Sequence, residues 1–280
     1  MHIDARRWER RTRLELICGV SLVSIAVLLL APPIPLGQSY HLFADDRPLV
    51  GIPNCLDVVS NIPFTIVGVL GLAWLFLKPS RSSFTAQSER LPYLIFFAGV
   101  ALTGFGSAWY HLSPSNSRLA WDLLPMACCF MSMVAAQIIE RISVRAGLAM
   151  LVPLLAFGVA SVAYWYFTQT HGIGDYRFYL FVQFFPPILL TMIVALFPPR
   201  YTHTNYLIVA FLFFVAAKLF ELFDKQIYSF ARVLSGHSLK HVAAGIACYW
   251  ILLMLQHRRA IANFRQEPQT ARTQRQTAPI

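Results

Sequence analysis

Apolar stretches of about 17 to 25 residues recur along this chain, each long enough to cross a bilayer as a helix. They run over 14–31, 58–77, 91–111, 119–139, 146–167, 177–197, 205–222 and 239–257. Inside hydrocarbon every backbone N–H and C=O needs a partner, and a helix satisfies them within one segment. The pattern therefore predicts an all-α, polytopic transmembrane helix bundle. The third and fourth spans are split by "SPSNS", whose Pro, Ser and Asn read as a turn. Composition agrees, with 57% hydrophobic and only 13% charged residues, where soluble domains carry about 25% charge.

The net charge of +10 has no soluble basic face to display it. Nucleic acid is thereby excluded as a partner, and an anionic membrane surface beside the tails is the simpler reading. The five cysteines form no C-x-x-C pair and read as packing residues rather than a disulfide framework. The first span follows the basic flank "ARRWERRTRLE", as a signal peptide would. Its exit "LAPPIPLGQSY" offers no small-x-small cleavage site, so a retained anchor is expected.

Basic residues set the orientation. With the N-terminus inside, the inner segments hold Arg6, Arg7, Arg10, Arg11, Arg13, Lys78, Arg81, Arg90, Arg141, Arg145, Arg200, Arg258, Arg259, Arg265, Arg272 and Arg275. The outer ones hold only Arg47, Arg118, Arg177, Lys225, Arg232 and Lys240. Both termini are expected to be cytoplasmic. Four segments follow: a basic tail (1–13), an additional N-terminal span (14–31), a seven-helix core (45–257) and a polar tail (258–280) whose composition predicts disorder.

Polar residues inside such a bundle normally face its interior and have a partner. Ser107 and His111 are i and i+4 at the outer end of the third span, so they share one face. Asp122 lies about one turn inside the fourth span, with Arg118 one turn back as a possible ion-pair partner. His237 and His241 repeat the i, i+4 spacing at the start of the last span. Their depth matches that of His111. Three neutral imidazoles with an open fourth position are a catalytic zinc arrangement. The zinc-protease pattern H-E-x-x-H shares the spacing, but its Glu is missing here, which excludes a soluble zincin. His2, His41, His171, His203 and His257 read as interfacial or hydrogen-bonded residues. Lys218, Glu221 and Asp224 share a face of the seventh span and read as a structural ion pair. Lys240 lies at the very edge of the last span, which argues against a retinal protein.

The constellation Ser107, His111, Asp122, then His237 and His241, resembles the alkaline ceramidases. These belong to the CREST superfamily of seven-helix membrane hydrolases. "DVVSNIPFTIVGV" is similar to the opening of that family's first core helix, and Asp224 to one of its acidic positions. The resemblance implies a zinc site from His111, His237 and His241 and hydrolysis of a sphingolipid amide. Asp122 would then act as general base and Ser107 as oxyanion donor, with a serine nucleophile as the rival role. It also implies a multi-pass location, expected to be a bacterial inner membrane, and a lipid substrate drawn from the bilayer; protein partners stay open. The segment "FADDRPLVGIPNCLD" lacks the Trp and Glu of the family's calcium-binding stretch, so calcium is not assigned. A receptor or transporter sensing protons, metal or lipid is the alternative from another class.

Overall fold

The computed structural model describes residues 2–77 and 83–261. Its helices are α1 (His2–Leu30), α2 (Cys55–Val59), α3 (Ile62–Leu77), α4 (Leu91–Leu112), α5 (Asn116–Arg141), α6 (Val144–Thr170), α7 (Arg177–Leu196), α8 (Asn205–Leu222), α9 (Asp224–Ala231) and α10 (Gly236–His257). Among the described residues eight segments are long and apolar enough to span a membrane, and they coincide with the eight stretches expected from sequence. Large apolar side chains such as Leu22, Val27, Phe105 and Val152 are exposed. That surface suits lipid rather than water. Lys78, Arg81 and 262–280 lie outside the described residues.

Serine caps set three of the helix starts. Ser115 accepts from the Arg118 N–H, Ser143 from Ala146 and Ser235 from Ser238. The Ser235 cap starts α10 at Gly236, earlier than the apolar pattern suggests, so Lys240 stands one turn inside the helix instead of at its edge. α1 also starts earlier than expected. Arg11–Glu15 and Glu9–Arg13 pairs at i, i+4 favour helix across the basic segment. Residues 2–13 are therefore helical rather than a tail.

α5 is the most deeply buried span and packs on α4, α6 and α7. α10 packs on α8 and α3, and α1 lies against α7. α3 and α4 approach closely where Gly68 faces Ala101; a Cβ there would lie 2.3 Å from the Ala101 nitrogen. Small residues at a crossing allow such backbone contact within a membrane.

Arginines fasten one end of the bundle. Arg13 donates to the Leu196 carbonyl at 3.0 Å and Arg10 to that of Ile142 at 2.8 Å. Positive charge at a helix C-terminus is favourable. Arg141 donates to Phe197 O at 2.8 Å, and Arg200 pairs with Glu89 at 3.2 Å. The chain does not leave the fold at 258: Arg258 is fully buried against Glu140, and the Thr202 N–H donates to Arg259 O at 3.0 Å.

Removing one member of a buried ion pair strands the other charge, at a cost of about 3–5 kcal/mol. Glu140→Ala is therefore expected to lower thermal stability strongly in detergent. An unfolding midpoint equal to that of the wild type would show that Arg258 is satisfied without its carboxylate.

Candidate active site

The end opposite those arginines gathers the polar residues singled out in the sequence. α4 ends at Leu112 and carries Ser107 and His111 on one face, both buried. Asn54 fixes this end by donating to the His111 carbonyl at 2.8 Å. α10 begins with His237 and His241 facing the same interior. The His237 backbone N–H donates to Asp224 Oδ1 at 2.8 Å, and the other Asp224 oxygen accepts from Ala44 N at 3.1 Å. Asp224 thus ties the start of α10 to the loop that covers the site.

The three imidazoles converge. Ring centroids are 4.8 Å apart for His111–His237, 5.0 Å for His111–His241 and 4.8 Å for His237–His241. His111 Nε2 and His237 Nε2 are 3.3 Å apart. Ligands about 2.0–2.1 Å from a tetrahedral zinc stand about 3.3 Å from each other. One nitrogen from each ring lies within 4.8 Å of the others, and among the described residues this is the group of its kind that could hold a metal.

The surroundings prepare the rings as ligands. Ser60 Oγ donates to the Asp57 carbonyl at 3.0 Å and stands 2.8 Å from His241 Nδ1. Its single hydrogen is thereby used, so His241 Nδ1–H is the donor to Ser60 and the Nε2 lone pair is left for a cation. His111 Nδ1 is buried without a hydrogen-bond partner, so no protein group consumes the second nitrogen of that ring. The donor set therefore fits zinc.

Asp122 is buried on α5 across the short turn from His111. Ser107 lies beside its carboxylate, and Asp122 Oδ1 has no hydrogen-bond partner. Arg118 is not the counter-ion. It donates to the Trp109 carbonyl at 3.1 Å, with its guanidinium over the Trp109 ring. His41 is hydrogen-bonded to Tyr110 and Asn116, as its sequence position suggested.

Ser107, Asp122 and His241 line one end of a cavity of about 380 Å³. Its other walls are largely apolar, from Phe96, Met126 and Leu190 down to Val194 and Leu207. Over the outer side, the Phe43 ring packs on His111 and His237, with centroids 4.6 and 4.7 Å away.

Sequence reasoning overlooked Lys240 at the site. Its Nζ lies 3.1 Å from His237 Nε2 and 3.0 Å from Glu221 Oε1, while Lys218 holds Glu221 Oε2 at 2.7 Å. The signal was present, since Lys240 stands three residues from one histidine and beside the other. Lys218 and Glu221 do form the expected ion pair, but Asp224 starts a separate helix. In the 45–57 segment Asp45 and one oxygen of Asp57 accept from protein donors. Arg47 pairs with Asp45 at 2.7 Å and holds that carboxyl below its ordinary range. Asp57 accepts from Ser238 at 2.6 Å and from Ser235 at 3.2 Å.

A multi-pass helical bundle that encloses three histidines, one of them lining an apolar cavity, defines an integral membrane protein with a candidate metal centre. The Ceramidase family profile matches residues 52–279, nearly everything after α1 and its exit loop, and the chain belongs to that family. No curated protein matches the chain, and no solved structure does.

Proposed function

We propose that this chain is a zinc-dependent hydrolase cleaving the amide bond of ceramide or a similar N-acyl sphingoid lipid. The observation that carries the reading is a three-histidine cluster whose His241 lines an apolar cavity together with Ser107 and Asp122. The cavity suits an acyl chain, and the family membership supplies the substrate class. His111, His237 and His241 would hold zinc, which when bound would supply Lewis acidity and lower the pKa of water toward about 7.

The chain's own residues account for the proton. Asp122 Oδ1 is an unoccupied acceptor on a residue that lines the same cavity as His241. It takes a proton from the attacking water and delivers it to the leaving nitrogen as the C–N bond breaks. Ser107 has one O–H and stands beside the Asp122 carboxylate. Its first role is to position the carboxylate. Once Asp122 is protonated, the hydroxyl is free to turn toward the carbonyl oxygen that gains charge.

The test is lipid mass spectrometry on purified protein given a ceramide panel, with and without chelator. Release of sphingoid base and fatty acid is expected, lost with chelator and restored by zinc. A zinc-loaded protein that cleaves none of the panel would point to a receptor or transporter instead.

We further propose a bacterial inner-membrane location with both termini cytoplasmic and the histidines near the outer face, an orientation that the positive-inside bias supports. A reporter fused to the C-terminus is expected to be active only in the cytoplasmic form. Activity restricted to the periplasmic form would invert the topology.

A further inference from the structure

Five side chains of α5 line the large cavity in one row: Asp122, Met126, Cys129, Met133 and Gln137. Steps of three or four residues keep them on a single helix face. The row is charged or amide-bearing only at its two ends. Asp122 to Gln137 is fifteen residues, which at about 1.5 Å per residue makes about 22 Å. The α8 wall gives the same depth, since Leu207 to Glu221 is fourteen residues, or about 21 Å. Two hydroxyls on the other walls are turned back into their own helices, Thr103 to Gly99 O at 2.9 Å and Thr191 to Pro187 O at 2.8 Å. The cavity is thus a long, largely apolar slot with a defined top and bottom.

The bottom is polar and fastened. Gln137 is buried, and its amide is fully used: Oε1 accepts from Arg141 Nε at 3.2 Å, and Nε2 donates to Glu140 Oε2 at 3.4 Å. Glu140 in turn pairs with the buried Arg258, and Arg141 also donates to Phe197 O and to Thr204 Oγ1. A methyl group driven past Gln137 would break into these bonds and leave buried polar atoms unpaired, which is costly.

The top separates two spaces. His241 lines the apolar slot, whereas His237 lines a smaller space of about 300 Å³ with Tyr40, Glu221 and Asp224. The scissile carbonyl is the first carbon of the acyl chain, so that chain enters the slot from its top. The hydroxyl donors of the sphingoid base suit the carboxylate-lined side.

An extended alkyl chain advances about 1.25 Å per carbon, from C–C bonds of about 1.5 Å and angles of about 111°. A slot of about 21–22 Å therefore accepts about 17–18 carbons. We infer that the slot measures the acyl chain and that Gln137 is the specificity-determining residue that sets its longest fit. The inference rests on the amide-hydrolase reading and adds to it the length of chain that the site selects.

The experiment is displacement of a fluorescent ceramide from the purified, zinc-loaded full chain in neutral detergent, with cleavage of the same competitors measured in parallel. One series varies the acyl chain from C8 to C24 on a fixed C18 base, and a second varies the base at a fixed C16 acyl chain. Wild type is expected to bind C16 and C18 acyl chains at least tenfold more tightly than C8 or C24, and to respond little to the base. Gln137→Ala lowers the floor, while Arg141 keeps Phe197 O and Thr204 Oγ1, and should move the best length to C20 or beyond. Ala247→Phe should move it the other way. Ala247 lines the slot six residues below His241, about 9 Å down, so the best length falls to about C8. Zinc content checks that each variant is folded. A wild-type profile flat from C12 to C24 would overturn the ruler and send the chain end into the bilayer past Ile208 and Phe211, which line the slot and are exposed. A peak that follows the base instead of the acyl chain would also overturn it, as would zinc-loaded variants that both keep the wild-type optimum. Absence of cleavage with the length profile intact would sink amide hydrolysis and leave the ruler standing.

Discussion

His111→Ala is expected to strip the protein of metal and to abolish turnover together. The ring supplies one of three nitrogens that lie within 4.8 Å of one another, and two of those nitrogens are already at tetrahedral ligand spacing. Removing it leaves two imidazoles, both on α10, and a void beneath the Phe43 ring. His237→Ala and His241→Ala should behave alike. Ser60→Ala tests the same centre more gently. Ser60 holds His241 Nδ1 at 2.8 Å, and the loss of such an outer partner costs about 10–100-fold in metal affinity. The readout is zinc content by mass spectrometry after dialysis against graded chelator, with activity measured in parallel. A His111→Ala protein that retains one equivalent of zinc would remove the three-histidine centre from consideration, whatever its activity.

The parts of this site that were legible in the sequence share one property: their geometry is local. Ser107 with His111, and His237 with His241, are fixed by the pitch of a single helix. Depth in the membrane then brought the two pairs to one level, because antiparallel spans of known length leave little freedom. The spans themselves were legible because a bilayer imposes a length on each apolar run. What was not legible depends on side chains meeting across the fold. Ser60 reaches His241 only because the chain breaks between α2 and α3, ahead of Pro63. The Lys240 reach to Glu221 joins α10 to α8. Phe43 covers the histidines from a loop whose path is set by Asp224 and by bonds such as Tyr176 N–H to Ile34 O. α9 was also missed. Its eight residues carry polar and apolar groups on opposite faces, and they are too few to register as a span.

Asp122→Asn is expected to keep zinc and lose hydrolysis. Asn preserves the size of the side chain and can still accept from Ser107. It cannot carry a proton from water to the leaving nitrogen. General acid–base catalysis is worth about 10²–10⁴-fold, and a fall of that order in kcat is the expected result. Ser107→Ala removes the group that positions the carboxylate and later faces the developing charge. An oxyanion donor is worth about 2.7–4 kcal/mol when fully engaged. Ser107 divides its one hydrogen between two roles, so its loss should be the smaller of the two. The two variants also separate the roles of the serine. In the structure Ser107 stands beside Asp122, whereas a nucleophile would need a histidine as its base. A serine nucleophile would make Ser107→Ala as damaging as Asp122→Asn and would leave an acyl group on the protein, visible by intact-mass measurement. A water attack leaves none and grades the losses. Zinc content must be measured on both variants, since Asp122 is buried and lines a cavity with His241 but lies outside the three-histidine group. Unchanged turnover in Asp122→Asn with zinc bound would leave Asp122 a structural partner of Ser107 and send the search for the base elsewhere along the cavity wall.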